Sequence, residues 1–276
     1  MKKLLFILFT LFARTVLAQG FEGTIKWSMK MEITDPKMKA QMDASQKQMN
    51  DPAQQAKMKQ MQDQMNDPKM KAMLESNPAL KAQMENLMKM TQGGDIMNNM
   101  TPKEMILKVK GTNTLVTMVG GMMQGDFLHT LDKSVFLDRD KKTYSVMPPG
   151  NIVDKDAKPK ITKTTITKTT ETTKILGYTC TKYIIETTEN DKTTTSYLWA
   201  TTDIPGFDTK ALAKQRLGQS QSLFYESIDG ITLRNEIITP QSKMTMEVTE
   251  IKRESINAAD FTIPSGYTET KGMFGK

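Results

Sequence analysis

One cysteine and one histidine are all that this 276-residue chain holds of the two side chains most used in metal binding and nucleophilic catalysis. With Cys180 alone no intrachain disulfide can form, and the residue reads as a small buried hydrophobe in a strand. His129, in Phe127-Leu128-His129-Thr130-Leu131, has no second imidazole to share a metal or a relay with. HExxH, GxSxG, Walker and CxxC motifs are all missing, and neither Cys180 nor His129 carries the local signature of a thiol–imidazole dyad. Asp138 and Asp140 sit at a turn beside Lys141 and Lys142, with no run of further acceptors to make a calcium loop. The expectation is therefore a protein without enzymatic activity, cofactor or metal centre. Charge of one sign is also scarce. The formal net charge is +7, but Lys2, Lys3 and Arg14 lie in the first 14 residues, and without them +4 remains, evenly spread. Nucleic acid is not an expected partner at that charge. No apolar run reaches the ~20 residues that cross a bilayer as a helix.

What is present begins with a leader. Lys2 and Lys3 precede an apolar stretch, Leu4 to Phe12, and the small-residue pattern Val16-Leu17-Ala18 follows. This order reads as a secretory signal peptide over residues 1–18. Residue 19 is Gln rather than Cys, so no lipid anchor is indicated. The expected location is the periplasm or another exported compartment, with the chain soluble after cleavage.

Three textures follow. In residues 20–34, Ile25, Trp27, Met29, Met31 and Ile33 alternate with polar neighbours, the period of a half-buried antiparallel strand. At Asp35 the pattern breaks. Asp35-Pro36, Asp51-Pro52 and Asp67-Pro68 recur at intervals of 16, and Asn77-Pro78 adds a fourth pair. Asp or Asn before Pro starts a helix: the side chain caps free amides, and Pro tolerates the first helical position. The Lys, Gln, Met and Ala between them favour helix. Residues 35–100 are thus expected to form a helical insertion of three or four short helices.

From Pro102 strands return. Met105–Lys110 with Leu115–Val119, Val135–Leu137 with Thr143–Met147, and Tyr183–Glu186 with Ser196–Ala200 read as hairpins. Leu223–Ile228 and Ile231–Ile238 flank Asp229-Gly230, a strong two-residue turn signal. Met244, Met246 and Val248 alternate in a late strand. The stretch from Pro148 to Ile166 is expected to be a loop leading into a strand, and Asp208–Leu217 a short amphipathic helix. The fold class is mainly β with an α insertion: a curved antiparallel sheet built from residues 19–34 and 101–270, and a tail at 271–276.

Thirteen of the 24 methionines fall between Asp35 and Met100. Met38 and Met42, Met58 with Met61 and Met65, Met70 and Met73, and Met84 and Met88 are spaced to share helix faces. Three readings compete. The stripes pack the helices, they offer an adaptable apolar surface to lipids or partner proteins, or their thioethers bind Cu(I).

The segments Leu176-Gly177-Tyr178-Thr179-Cys180-Thr181-Lys182-Tyr183, Tyr197-Leu198-Trp199-Ala200 with Asp203-Ile204-Pro205, and Ala259-Asp260-Phe261-Thr262-Ile263-Pro264-Ser265-Gly266-Tyr267 resemble a family of exported Bacteroidetes proteins known only as a domain of unknown function. Its fold is similar to the periplasmic lipoprotein carriers, the LolA/LolB-like half-barrels. The resemblance implies a curved sheet whose concave face holds an acyl chain, with Trp27, Phe136, Tyr144, Tyr183, Trp199 and Phe224 as candidate lining. The expected function is a non-enzymatic periplasmic binding protein for a hydrophobic or lipid-like ligand in the cell envelope. The alternatives are a Met-rich copper-binding protein and an envelope interaction module docking a partner through its helices.

Cleavage after Ala18 predicts a mature chain that starts at Gln19, cyclised to pyroglutamate. Peptide mapping of the periplasmic fraction checks this; finding residues 1–18 retained there would overturn it.

Overall fold

Twelve strands form one open, curved sheet, and their order places the first strand of the chain in its middle. The computed structural model describes residues 20–65, 67–77, 101–121, 124–147, 162–189, 192–207 and 227–270. In chain order the strands are β1 (Gly23–Ile33), β2 (Glu104–Lys110), β3 (Asn113–Val119), β4 (Gly125–His129), β5 (Ser134–Asp138), β6 (Thr143–Met147), β7 (Thr162–Ile175), β8 (Tyr178–Glu189), β9 (Lys192–Thr201), β10 (Ile231–Ile238), β11 (Ser242–Arg253) and β12 (Thr268–Glu269). Their order in the sheet is β12-β6-β5-β4-β3-β2-β1-β11-β10-β9-β8-β7. Every neighbouring pair is antiparallel except the short β12, which runs parallel to β6. Register shifts between Lys26 and Trp27, opposite β11, and between Thr232 and Arg234, opposite β9, interrupt the ladders near the middle. Such bulges raise the local twist and bend the sheet.

Among the described residues the hydrophobic core falls into three clusters. The largest joins Ile25, Trp27, Leu107, Val109, Leu233 and Val248 with Phe21, Ile204 and Cys180. A second holds Leu115, Leu128, Val135 and Leu137 under Ile256 and Phe261. A third gathers Tyr183, Ile185, Leu198 and Ala200 beneath Ile228. The second depends on the segment after β11, which is tied down by charge. Glu22 accepts from Lys110 Nζ at 2.8 Å and from the Ile256 backbone N–H at 2.8 Å, and Lys108 Nζ reaches Asp260 at 2.7 Å. Lys110 and the Ile256 amide hold the Glu22 carboxyl below its ordinary range. Asn257 then caps a single 3-10 turn, Ala258–Phe261, which seats Phe261 in the cluster.

Between β1 and β2 the chain makes α1 (Pro36–Met49), α2 (Pro52–Met65) and α3 (Pro68–Ser76). Each starts where an aspartate meets a proline. Asp35 Oδ1 accepts from the Met38 amide at 2.7 Å, Asp51 Oδ1 from Ala53 at 2.7 Å, and Asp67 Oδ1 from Lys69 at 2.8 Å. Leu74 is buried, whereas Met38 and Met73 are 38% and 48% exposed. The side chains of Met58, Met61 and Met65, and residues 78–100 with Asn77-Pro78's proline, Met84 and Met88, lie outside the described residues.

Two sequence expectations change. Asp229-Gly230 is not the turn of a hairpin: Ser227 and Ile228 are not strand, and β10 already has β9 and β11 on its two sides. The glycine answers a different demand. At φ +82°, a Cβ on Gly230 would come within 2.0 Å of the Thr201 carbonyl oxygen. Strand β4, five residues long, has no counterpart in the sequence reading. The stretch from Pro148 enters β7 at Thr162, while residues 148–161 lie outside the described residues, as does the expected helix Asp208–Leu217.

Because Ser28 on β1 is the register partner of Glu104 on β2, the helices leave and re-enter between adjacent strands. Replacing residues 35–100 by a short Gly/Ser linker should leave the sheet folded. Far-UV circular dichroism should lose its helical component and keep its β component; loss of the β component would show that the helices belong to the core.

Candidate ligand-binding face

Antiparallel register decides which side chains share a face, and here it lines up apolar residues across strands. In one row Phe136 opposes Phe127, Phe127 opposes Val116, Val116 opposes Leu107, Leu107 opposes Ile25, and Ile25 opposes Ile251. A second row runs Met118, Met105, Trp27, Val248. On the same face Met29 opposes Met246 and Met31 opposes Met244. Neighbouring strands lie ~4.8 Å apart, so each row is a near-continuous apolar strip. Ile25, Trp27 and Leu107 are buried, while Val116, Phe127, Phe136, Met105, Met118 and Met246 are only partly so. Met31 is 37% exposed and its sulfur accepts from Thr101 Oγ1 at 3.7 Å.

Local packing sets the aromatic end of this face. The Phe127 and Phe136 rings lie 5.1 Å apart, centroid to centroid. Phe136 also covers Gly125, where a Cβ would come within 2.6 Å of the ring. Glycine is required there because the ring occupies the side-chain space.

On the opposite face the central strands are charged. Lys26 pairs with Glu250 at 2.6 Å, Arg234 with Glu247 at 2.7 Å and Lys243 with Glu236 at 3.0 Å. Glu250, flanked by Lys252 and Lys26, is held below the ordinary carboxylate range.

The six candidate lining residues do not converge. Trp27, Phe136 and Tyr183 share the apolar face, but on β1, β5 and β8, four strands apart at each step. Tyr183 is 2% exposed and its hydroxyl accepts from the Asp229 amide at 3.3 Å, as a core residue does. Tyr144 and Trp199 belong to the other face. Tyr144 opposes Leu137, packs on the second cluster and donates to Glu269 Oε2 at 3.0 Å. Trp199 opposes Arg234 and Lys182, whose Nζ lies 5.6 Å from the indole centroid. Phe224 lies outside the described residues. Val116, Phe127, Met105 and Met118 were missed by sequence reasoning. Each is ordinary in its own strand and acquires meaning only once the register aligns it with its neighbours.

Other chemistry is accounted for structurally. Asp126, 4% exposed, accepts from Thr117 Oγ1 at 2.6 Å and from Arg139 Nη2 at 2.8 Å, with Arg139 Nε on its second oxygen. This saturated pair lines a cavity of about 210 Å³ with Thr117, Met118, Gly125 and Asp138. Its fork geometry ties the β3–β4–β5 end together, the Asp126 carboxylate being buried and the Arg139 side chain exposed. His129 Nδ1 is 2.6 Å from Ser134 Oγ, and Cys180 Sγ donates weakly to the Tyr178 carbonyl at 3.6 Å. The two residues sit on β4 and β8, in different parts of the sheet, and no hydrogen bond joins them. Among the described residues no three His, Cys, Asp or Glu side chains are grouped to hold a metal ion.

Cys180 is fully buried, and desolvation pushes its thiol above the ordinary range. Thiolate is the reactive form, so alkylation of the folded protein at pH 8 should be at least about 100-fold slower than in denaturant. Mass-spectrometric labelling kinetics check this; comparable rates would place the thiol at an accessible site.

Residues 103–267, more than half of the chain, match the family model described as Domain of unknown function (DUF4412). The match opens just before β2 and ends before β12, leaving the central strand β1 outside it. No curated protein matches the chain. The fold is mainly β, and the chain belongs to the DUF4412 family.

Proposed function

We propose that this protein is a non-enzymatic binding protein of the cell envelope, exported and soluble after loss of its leader, that holds a hydrophobic or lipid-like ligand on the apolar face of its sheet. The observation that carries the reading is the aligned row Phe136, Phe127, Val116, Leu107, Ile25, Ile251, with the half-exposed methionines beside it. Ile25 and Leu107 belong to the core, whereas Val116, Phe127 and Phe136 at the end of the row are only partly buried, and clustered apolar surface of this kind marks a contact site for an apolar partner. Methionine suits the task, since its unbranched side chain adapts to acyl chains of different length and bend. An open, curved sheet is also in keeping with the likeness to lipoprotein carriers, whose half-barrels hold acyl chains in that way.

A second reading is favoured by one arrangement. Met29 and Met31 on β1 directly oppose Met246 and Met244 on β11, so four thioethers occupy one block of the face. Soft sulfur ligands select Cu(I). The two readings separate cleanly by substitution. Leucine at all four positions keeps volume and apolarity, and should leave acyl-chain affinity within about threefold while abolishing Cu(I) binding.

Native mass spectrometry of the protein purified from the periplasm tests the proposal directly. An added lipid mass released by organic solvent is the expected result. A copper mass in its place would establish the second reading, and an empty protein that also fails to take up lipid would overturn the first.

A further inference from the structure

Sulfur in this chain is carried almost wholly by methionine, with 24 thioethers against one thiol. The thiol is closed to oxidants. Cys180 is fully buried, and desolvation holds it in the unreactive protonated form. Among the described residues three methionines are exposed: Met38 on α1, Met73 on α3 and Met31 on β1. Met31 is the one that lies on the sheet, and Met29, Met244 and Met246 around it are partly buried.

A second observation sets Met31 apart. Beyond Ser28 the ladder between β1 and β2 ends, and the chain entering β2 brings Thr101 against the Met31 side chain. Thr101 Oγ1 donates to the sulfur at 3.7 Å. A thioether is a weak acceptor, so this hydroxyl gains little from the reduced side chain. A sulfoxide at the same place is polar and accepts strongly, and here it meets a donor already in position. The surroundings are apolar: Met31 opposes Met244, and Met29 opposes Met246 beside it, on the face that carries Trp27 and Met105.

Resting on the binding function proposed above, we infer that Met31 is a modification site, oxidised by peroxides to the sulfoxide and restored by reduction, and that its oxidation releases the apolar ligand. One oxygen atom passes from hydrogen peroxide to sulfur. The O–O bond breaks, an S–O bond forms, sulfur gives up two electrons, and the rest of the peroxide leaves as water. Methionine sulfoxide reductases reverse the step, a dithiol supplying the two electrons and the oxygen leaving as water. Thr101 donates to the new oxygen, so the sheet stays folded in the oxidised form. The ligand's hydrocarbon then has to cover an S–O dipole, which costs that group its water.

The test uses the mature full-length protein, treated with hydrogen peroxide, mapped by peptide mass spectrometry and titrated with a fluorescent fatty acid. Met31 should oxidise together with Met38 and Met73 and ahead of Met29, Met244 and Met246, while Cys180 stays a thiol. Affinity should fall about tenfold, as expected for covering one polar group, with the thermal midpoint close to that of untreated protein. The two epimer-specific reductases with dithiothreitol should restore it. Met31→Leu still oxidises at Met38 and Met73, yet its affinity should change less than about twofold between its own treated and untreated forms. Met31→Gln, polar and of similar length, should bind about tenfold more weakly than wild type with no oxidant present. Met31 left intact while Met38 and Met73 react would overturn the inference. So would unchanged affinity of the wild type oxidised at Met31, or a loss in Met31→Leu equal to the wild type's. Failure of the untreated wild type to bind the probe would overturn the binding function instead, and the peptide map still decides whether Met31 is the modified site.

Discussion

The pairing of β1 with β11 is the constraint on which the rest of the sheet depends. β1 lies between β2 and β11, so the first strand of the fold joins a half-sheet running from β2 to β6 to another running from β11 to β7. Gly23 faces Arg253 and Ile33 faces Ser242, and both backbone edges of β1 are occupied over Gly23–Ser28. Each backbone group buried there needs its partner. Remove β1 and two half-sheets remain, each with an exposed inner edge and with the cluster of Ile25, Trp27, Leu107 and Val248 opened to water. The close approach at Gly23, where a Cβ would meet the Lys252 carbonyl oxygen at 2.0 Å, belongs to the same junction.

Either side of that seam the sheet solves burial differently. From β3 to β6 both faces carry apolar residues. One side is sealed by Ile256 and Phe261, delivered by the Glu22–Lys110 anchor, and the other carries Val116, Phe127 and Phe136. From β1 to β10 one face is apolar and the other is a lattice of ion pairs. Such pairs are partly solvated and contribute little each to stability; their effect is to keep that face wet and single-sided. At the far edge, β7 presents fourteen residues rich in Thr and Lys, with a register shift between Lys168 and Thr172. Lysines and an irregular ladder both discourage a second chain from adding to the edge.

Much of this was legible because it is local. Alternation from Ile25 to Ile33 and from Met244 to Val248 marks β1 and β11, and Asp before Pro marks three helix starts that the cap hydrogen bonds reproduce. What was not legible is relational. Alternation shows that Phe136 and Ser134 share a side, but whether Tyr144 joins them waits on the register, which pairs it with Leu137 instead. Trp199 fell to the charged face for the same reason. Gly230 resembles a hairpin glycine because Asp-Gly is the common hairpin dipeptide, yet what it accommodates is the backbone of Thr201, remote in sequence. β4 escaped notice because it opens on Gly125 and Asp126, residue types depleted in strands, and the packing of that glycine under Phe136 is not visible in the sequence.

The position of β1 also orders the events of folding. The strand that comes first from the ribosome has one of its partners in β11, more than 200 residues later, so the sheet cannot close until nearly the whole chain is present. Contacts this distant in sequence slow folding, since the chain entropy is lost before the contacts form. In the meantime the two half-sheets can assemble separately from hairpins, with Trp27 and its neighbours uncovered. Closure of the sheet is thus the step that β11, late in the chain, controls.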